Sequence, residues 1–129
     1  MQRTYIATDD PHSGFYQALR RELSSAGIEL VDSPADATSI FNIHSDITNQ
    51  RVLSVSARNV PTEYEVFYIV NYSLVSGPTT LMQPRTQTQT KFYTWDETLV
   101  LGKQMEQQTL RDAIVGDLVR VVMIQLSSI

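Results

Sequence analysis

The 129-residue sequence contains no cysteine. Disulfide bonds, thiolate metal sites and cysteine nucleophiles are therefore excluded. Apolar residues make up 42% of the chain and charged residues 19%, which is typical of a globular protein. No apolar run reaches the roughly 20 residues that a membrane-spanning helix needs. Because the length is that of one folding unit, we expect a single domain over residues 1–129.

The chain also has little excess charge of either sign. Ten basic and fourteen acidic residues leave a net charge of -4, which gives no overall attraction to nucleic acid. The opening residues lack the charged and apolar regions of a secretory leader. We therefore expect no nucleic-acid partner, and either a cytosolic protein or one whose targeting segment lies upstream of this sequence.

Motifs for catalysis and metal binding are lacking as well. The two histidines, His12 and His44, have no neighbouring ligands at the spacing of a metal site, and no phosphate loop or nucleophile elbow occurs. Asp9 and Asp10 could hold a cation or act with His12 as acid and base, but a carboxylate ahead of a helix more often caps it. We predict a protein that is not an enzyme and that uses no metal and no cofactor.

Two segments have the spacing of amphipathic helices. The first lies between Ser13, a candidate N-cap, and Gly27, a candidate C′ residue. Its apolar residues recur at helical intervals: Tyr16, Leu19, Leu23 and Ala26. The second lies near the end of the chain, where apolar residues recur every fourth position: Leu110, Ile114, Leu118, Val122 and Leu126.

Four segments show the alternation of apolar and polar residues that is typical of β-strands. They cover residues 5–7, residues 41–57 as one bulged strand or two pieces, residues 64–74, and about residues 81–95. Even positions of the third segment are all apolar, and in the second segment one buried face is expected to hold Phe41, Ile43 and Ile47. Short turns join the last three strands, so we expect an antiparallel meander, with the first strand parallel to the second. The predicted fold is α+β: two helices on one face of a mixed, mostly antiparallel four-stranded sheet in the order β-α-β-β-β-α.

The last strand carries the candidate contact residues. Basic and amide side chains alternate with threonines and are expected on an exposed face, where they are either simply solvated or contact an anion or a polar partner: Arg85, Gln87, Gln89 and Lys91. Arg58 in the predicted hairpin loop and Lys103 just before the last helix belong to the same set, and a few such residues on loops at one end could hold a phosphorylated headgroup. An aromatic group follows at the end of the strand: Phe92, Tyr93 and Trp95. These rings could seal the edge of the core or contact a partner.

Short motifs spread along the whole chain carry a family resemblance. In the first half they are Asp10-Pro11, Ser13-Gly14 and the stretches 19–23 and 27–31. In the second half they are the stretches 54–59, 62–66, 96–98, 101–103 and 118–120, with Gln107 and Leu110. Together these residues resemble the lipopolysaccharide-assembly lipoprotein family LptE.

The resemblance implies a lipid-anchored protein on the periplasmic side of the outer membrane of Gram-negative bacteria. Such a protein plugs and helps assemble the β-barrel translocon LptD, and it binds lipopolysaccharide during export without catalysing a reaction. The family's basic residues that are associated with lipopolysaccharide correspond by position to Arg58 and Lys103. The family's acylated cysteine has no counterpart here, so we expect a soluble truncation without its N-terminal lipid anchor. The alternative function is a non-enzymatic protein adaptor that has no lipid ligand and uses the aromatic residues 92–95.

Overall fold

The computed structural model describes residues 1–58, 61–94 and 103–129, without the side chains of residues 61, 62 and 103–107. The described residues form five strands, two α-helices and one short 3₁₀ turn. In chain order they are β1 (Arg3–Ala7), α1 (Gly14–Ser25), β2 (Glu29–Leu30), the 3₁₀ turn (Pro34–Asp36), β3 (Ser39–Val55), β4 (Pro61–Ser76), β5 (Thr79–Thr94) and α2 (Lys103–Ser127). Neither helix, within those ranges, has the length and apolar composition needed to cross a bilayer.

The strands lie in one sheet in the order β2-β1-β3-β4-β5. β1 runs parallel to both of its neighbours, whereas β3, β4 and β5 form an antiparallel meander. The predicted α+β fold is confirmed, with five strands in place of four. The added strand, β2, is only two residues long, and two residues are too few to show any alternation in the sequence.

Helix α1 begins and ends as its sequence predicts. The hydroxyl of Ser13 accepts a hydrogen bond from the backbone N–H of Tyr16 at 3.0 Å, which satisfies one of the N–H groups that the first turn leaves free. Gly27 follows the helix with φ of 86°, a conformation that residues with a side chain rarely adopt. The buried face of the helix consists of Phe15, Ala18, Leu19 and Leu23.

The core lies between the sheet and the two helices. The even positions of β4 from Tyr64 to Leu74 are all buried, and the ring of Tyr72 stacks on Phe41 of β3 with centroids 5.1 Å apart. From α2 the core receives Ile114, Leu118, Val119, Val122 and Leu126. We call this face of the sheet the helix side and the opposite face the open side.

A β-bulge in β3 reverses the faces of that strand. Ile43 pairs with Tyr72 and Ser45 pairs with Asn71, so β3 contains one extra residue at this point. Ile43 is 7% exposed, but Ile47 is 55% exposed. The prediction that Ile47 shares the buried face with Ile43 is therefore wrong, because side chains change sides wherever one residue is inserted. Of the two alternatives left open for this segment, one long bulged strand or two pieces, the structure has the first.

Alanine substitutions at Ile43 and Ile47 test this reversal directly. We expect Ile43→Ala to lower the free energy of unfolding by about 2–4 kcal/mol, because it leaves a cavity in the core. Ile47→Ala, the matched control on the same strand, should cost less than about 1 kcal/mol. Urea denaturation measures both values, and equal losses would contradict the bulge.

Candidate binding surfaces

The open side of the sheet carries no helix among the described residues. Cross-strand partners share a face, so the odd positions of β4 and their partners in β5 lie on this side. β5 contributes a row of threonines, Thr86, Thr88 and Thr90, followed by Phe92, which is 66% exposed. The open side is therefore a mixed polar and apolar surface rather than a continuous apolar patch.

Arg51 on the open side is already engaged by its neighbours. Its guanidinium lies 3.4 Å from the carboxylate of Glu65 and 5.0 Å from the centre of the Phe67 ring. An ion pair and a cation–π contact both restrain this side chain. The charge of Arg51 is thus largely compensated by neighbouring residues of the sheet.

Arg58 lies in the connection between β3 and β4 and is exposed. Its backbone N–H donates to the hydroxyl of Ser56 at 3.2 Å, a local bond that orders the turn. The guanidinium makes no ion pair within the described part of the chain. Exposed apolar side chains precede it on β3, at Val52, Leu53 and Val55. A guanidinium in this setting can present its fork of N–H groups to a phosphate or carboxylate.

Helix α2 starts at the end of the sheet that holds Arg58. The amide of Gln125 donates to Gln87 and Asp117 contacts Lys91, so α2 runs antiparallel to β5. Lys103, the first residue of α2, lies about 21 Å further along the helix axis than Asp117. From Asp117 toward Lys103, the helix axis extends past the Thr94 end of β5. The β3–β4 connection lies at that same end. The two predicted basic positions are therefore brought to the same end of the sheet.

The predicted exposed row on β5 lies on the helix side instead. Arg85, Gln87, Gln89 and Lys91 pair with the buried even positions of β4. The ammonium of Lys91 is 3.4 Å from Asp117 of α2, and Gln87 accepts from Gln125 at 3.0 Å. Arg85 is exposed as predicted, whereas Gln87, Gln89 and Lys91 are half-buried, so the row is only partly exposed. Both rows of β5 are polar, so alternation alone could not say which row faces the helix.

The aromatic group at the end of β5 is divided between the two sides. Tyr93 is only 8% exposed and stacks on Tyr64 with centroids 5.0 Å apart, so its ring seals the core. Phe92 points to the open side, and Trp95 lies outside the described residues. Of this group, Phe92 is the described residue whose ring is accessible to a partner.

A buried polar cluster that no sequence pattern predicts joins β3, β4 and α1. The Tyr68 hydroxyl donates to Asp46 Oδ1 and accepts a hydrogen bond from the backbone N–H of Phe15 at 3.2 Å. Asp46 Oδ2 is buried without a hydrogen-bond partner among the described residues. Burial, and after it the hydrogen bond to Asp46, raises the pKa of Tyr68 well above its ordinary value. Asp46 faces inward only because of the bulge.

The remaining polar candidates have structural partners. The carboxylate of Asp10 accepts the N–H of His12 at 3.1 Å, which orders the turn ahead of α1, while Ser13 caps the helix itself. The ring of His44 makes a hydrogen bond with the hydroxyl of Ser73 at 2.8 Å. Among the side chains that the structure describes, no three His, Asp or Glu gather as metal ligands would.

Comparison with protein families gives one match along nearly the whole chain. The family model LptE, described as lipopolysaccharide-assembly, matches residues 1–126. No curated protein matches the sequence.

Solved structures of bacterial lipoproteins share the fold. Lipoprotein B of Nitrosomonas europaea has a TM-score of 0.84 at 22% identity, over 98% of this chain and 83% of that one. Rare lipoprotein B of Shewanella oneidensis has a TM-score of 0.80 at 19% identity, over 98% and 94%. A minor lipoprotein of Acinetobacter baumannii has a TM-score of 0.79 at 17% identity, over 98% and 91%. At these identities the likeness concerns the fold alone.

The raised pKa of Tyr68 predicts a loss of stability at alkaline pH. Above about pH 10 the tyrosine of the unfolded chain loses its proton while folded Tyr68 keeps it, so the free energy of unfolding falls as pH rises. We expect Tyr68→Phe to reduce this slope by up to about 1.4 kcal/mol per pH unit. Urea denaturation between pH 8 and pH 11 measures it. Thr88→Val, which removes a hydroxyl that does not ionise in this range from the open side, is the control that should keep the parental slope, and identical slopes for all three proteins would refute the assignment.

Proposed function

This chain belongs to the LptE family of lipopolysaccharide-assembly proteins, and we propose that it acts as an outer-membrane lipoprotein, lipid-anchored on the periplasmic side, with two partners. It plugs and helps assemble the β-barrel translocon LptD, and it binds lipopolysaccharide during export to the cell surface. It catalyses no reaction. The observation that carries the proposal is the family match over residues 1–126.

The end of the sheet with Arg58 is the proposed lipopolysaccharide site. Lipopolysaccharide presents phosphorylated sugars, and Arg58 offers an exposed guanidinium without a described ion-pair partner. α2 begins at Lys103 toward the same end, so a second cation is available for one anionic headgroup. Charge-assisted hydrogen bonds to phosphate are among the stronger polar contacts that a protein surface can make.

The open side is the surface that we propose for the barrel. Threonines, Asn71 and the Arg51–Glu65 pair make it polar, while Phe92 and Ile47 supply exposed apolar groups. A partly polar surface of this kind suits a wall that is also polar and hydrated, because such interfaces rely on hydrogen bonds and bridging water as well as on apolar burial. On the helix side, α1 and α2 cover the core, and Arg85 at the β5 margin stays exposed.

Reversing both proposed cations tests the lipopolysaccharide site. We expect the double variant Arg58→Asp, Lys103→Asp to bind purified lipopolysaccharide at least about tenfold more weakly, because two charge-assisted contacts become repulsive. The matched control is Arg21→Asp, Arg111→Asp, which makes the same change in net charge at two exposed helix positions. Circular dichroism establishes that both variants remain folded. If the first variant binds as tightly as the parent, the site assignment fails.

A protein adaptor without a lipid ligand is the alternative, and the exposed ring of Phe92 favours it. The two functions differ in what the parental protein retains from a bacterial envelope extract. Recovery of a large β-barrel together with lipopolysaccharide supports the LptD partner. Recovery of neither, with only soluble proteins retained, supports the adaptor.

A further inference from the structure

The outer edge of β5 is a long strand edge without a described partner. At the opposite edge of the sheet, β2 is two residues long, whereas β5 covers sixteen. No strand within the described ranges pairs with the side of β5 that faces away from β4. We call that side the β5 edge. An edge of this length offers a row of backbone N–H and C=O groups on which another strand can form.

The hydrogen-bond pattern of the sheet indicates which residues direct their backbone N–H and C=O groups to the β5 edge. In an antiparallel ladder each residue directs its N–H and C=O to the same side, and successive residues alternate. The hydroxyl of Thr48 on β3 donates to the carbonyl of Phe67 at 2.9 Å, so Phe67 faces β3 and Tyr68 faces β5. Gln89, the partner of Tyr68, therefore faces β4. The threonines on either side of it, Thr88 and Thr90, direct their backbone groups to the β5 edge.

Among the devices that commonly block strand addition, residues 85–94 carry only charge, at Arg85 and Lys91. They include no proline and no glycine, and threonine, which occupies every edge-facing position from 86 to 90, favours extended structure. Pro84 lies just before this stretch, at a register shift between β4 and β5. A proline has no N–H to donate and is tolerated at an edge. The edge is thus blocked at Pro84 and open beyond it.

The charges on β5 distinguish between possible partners. A second copy paired antiparallel about Thr88 would place Arg85 opposite Lys91 on the helix side, and like charges in that position are destabilising. Lys91 is partly compensated by Asp117 at 3.4 Å, whereas Arg85 is exposed. A strand with acidic side chains at these two positions would instead gain cross-strand attraction.

We propose that the β5 edge, over residues 85–94, accepts an extended segment of a partner protein as an added antiparallel strand whose acidic side chains lie opposite Arg85 and Lys91. The main-chain ladder supplies affinity and the two cations fix the register, as in other cases of strand addition. The interaction uses neither Arg58 nor Lys103, so it is independent of the lipopolysaccharide site.

Backbone amide exchange with a synthetic peptide tests this proposal. The probe is a short peptide of alternating threonine and valine, with two glutamates six positions apart to match Arg85 and Lys91. We expect the amides of Thr86, Thr88 and Thr90 to exchange quickly in the free protein and at least about tenfold more slowly with the peptide. A peptide with lysines in place of the glutamates should give at least about tenfold weaker protection. Slow exchange of these three amides in the free monomer, or no added protection from the acidic peptide, would overturn the proposal.

A proline variant supplies the matched test on the protein. Thr88→Pro removes an N–H that points to the β5 edge and no bond to β4, so the fold should survive while peptide protection is lost. Thr88→Ala keeps the N–H and should keep the protection. If Thr88→Pro fails to fold, the exchange pattern of the parent decides the question alone. Protection of the same amides by self-association, seen as a dimer in sedimentation, would assign the edge to a second copy and overturn the proposal.

Discussion

The hydroxyl of Tyr68 holds three elements in register. It donates to Asp46 on β3 and accepts from the first turn of α1 at Phe15, so one buried group fixes the sheet against the helix. The β-bulge makes this contact possible, because it turns Asp46 to the helix side and Ile47 to the open side. Leaving a buried carboxylate without its hydrogen bond is costly. The bulge, the position of α1 and the assignment of β3 side chains to the two faces of the sheet therefore depend on one another.

The surfaces that remain accessible follow from which face of the sheet the helices cover. With α1 fixed on the helix side, α2 packs beside it and reaches β5 through Asp117 and Gln125. The open side, the β3–β4 connection and the β5 edge are left for partners, and each offers a different chemistry. The connection presents the guanidinium of Arg58, the open side presents threonines with scattered apolar groups, and the edge presents the backbone itself. The proposed functions assign an anionic headgroup to the first of these surfaces and a polypeptide to each of the other two.

Much of the fold could be predicted from local patterns. Ser13 and Gly27 marked the ends of α1, and the even apolar positions of β4 identified its buried face, because capping and alternation depend on neighbouring residues alone. The bulge could not be predicted, since it depends on pairing between β3 and β4. The burial of Tyr93 depends on Tyr64 and Gln50 of other strands, and the inward row on β5 depends on α2, all of them distant in sequence. Arg58 and Lys103 were already candidates as basic residues on loops at one end of the fold, but only the family resemblance separated them from the other cations, because exposed Arg and Lys are usually just solvated.

The coupling between Tyr68 and Asp46 tests this account most directly. Urea unfolding of the parent, Tyr68→Phe, Asp46→Ala and the double variant gives a double-mutant cycle. If one contact joins the bulge to α1, the double variant should be more stable than the sum of the single losses predicts, by about 1–3 kcal/mol. Losses that add to within about 0.5 kcal/mol would show that the two residues act independently, and the bulge would then need another cause.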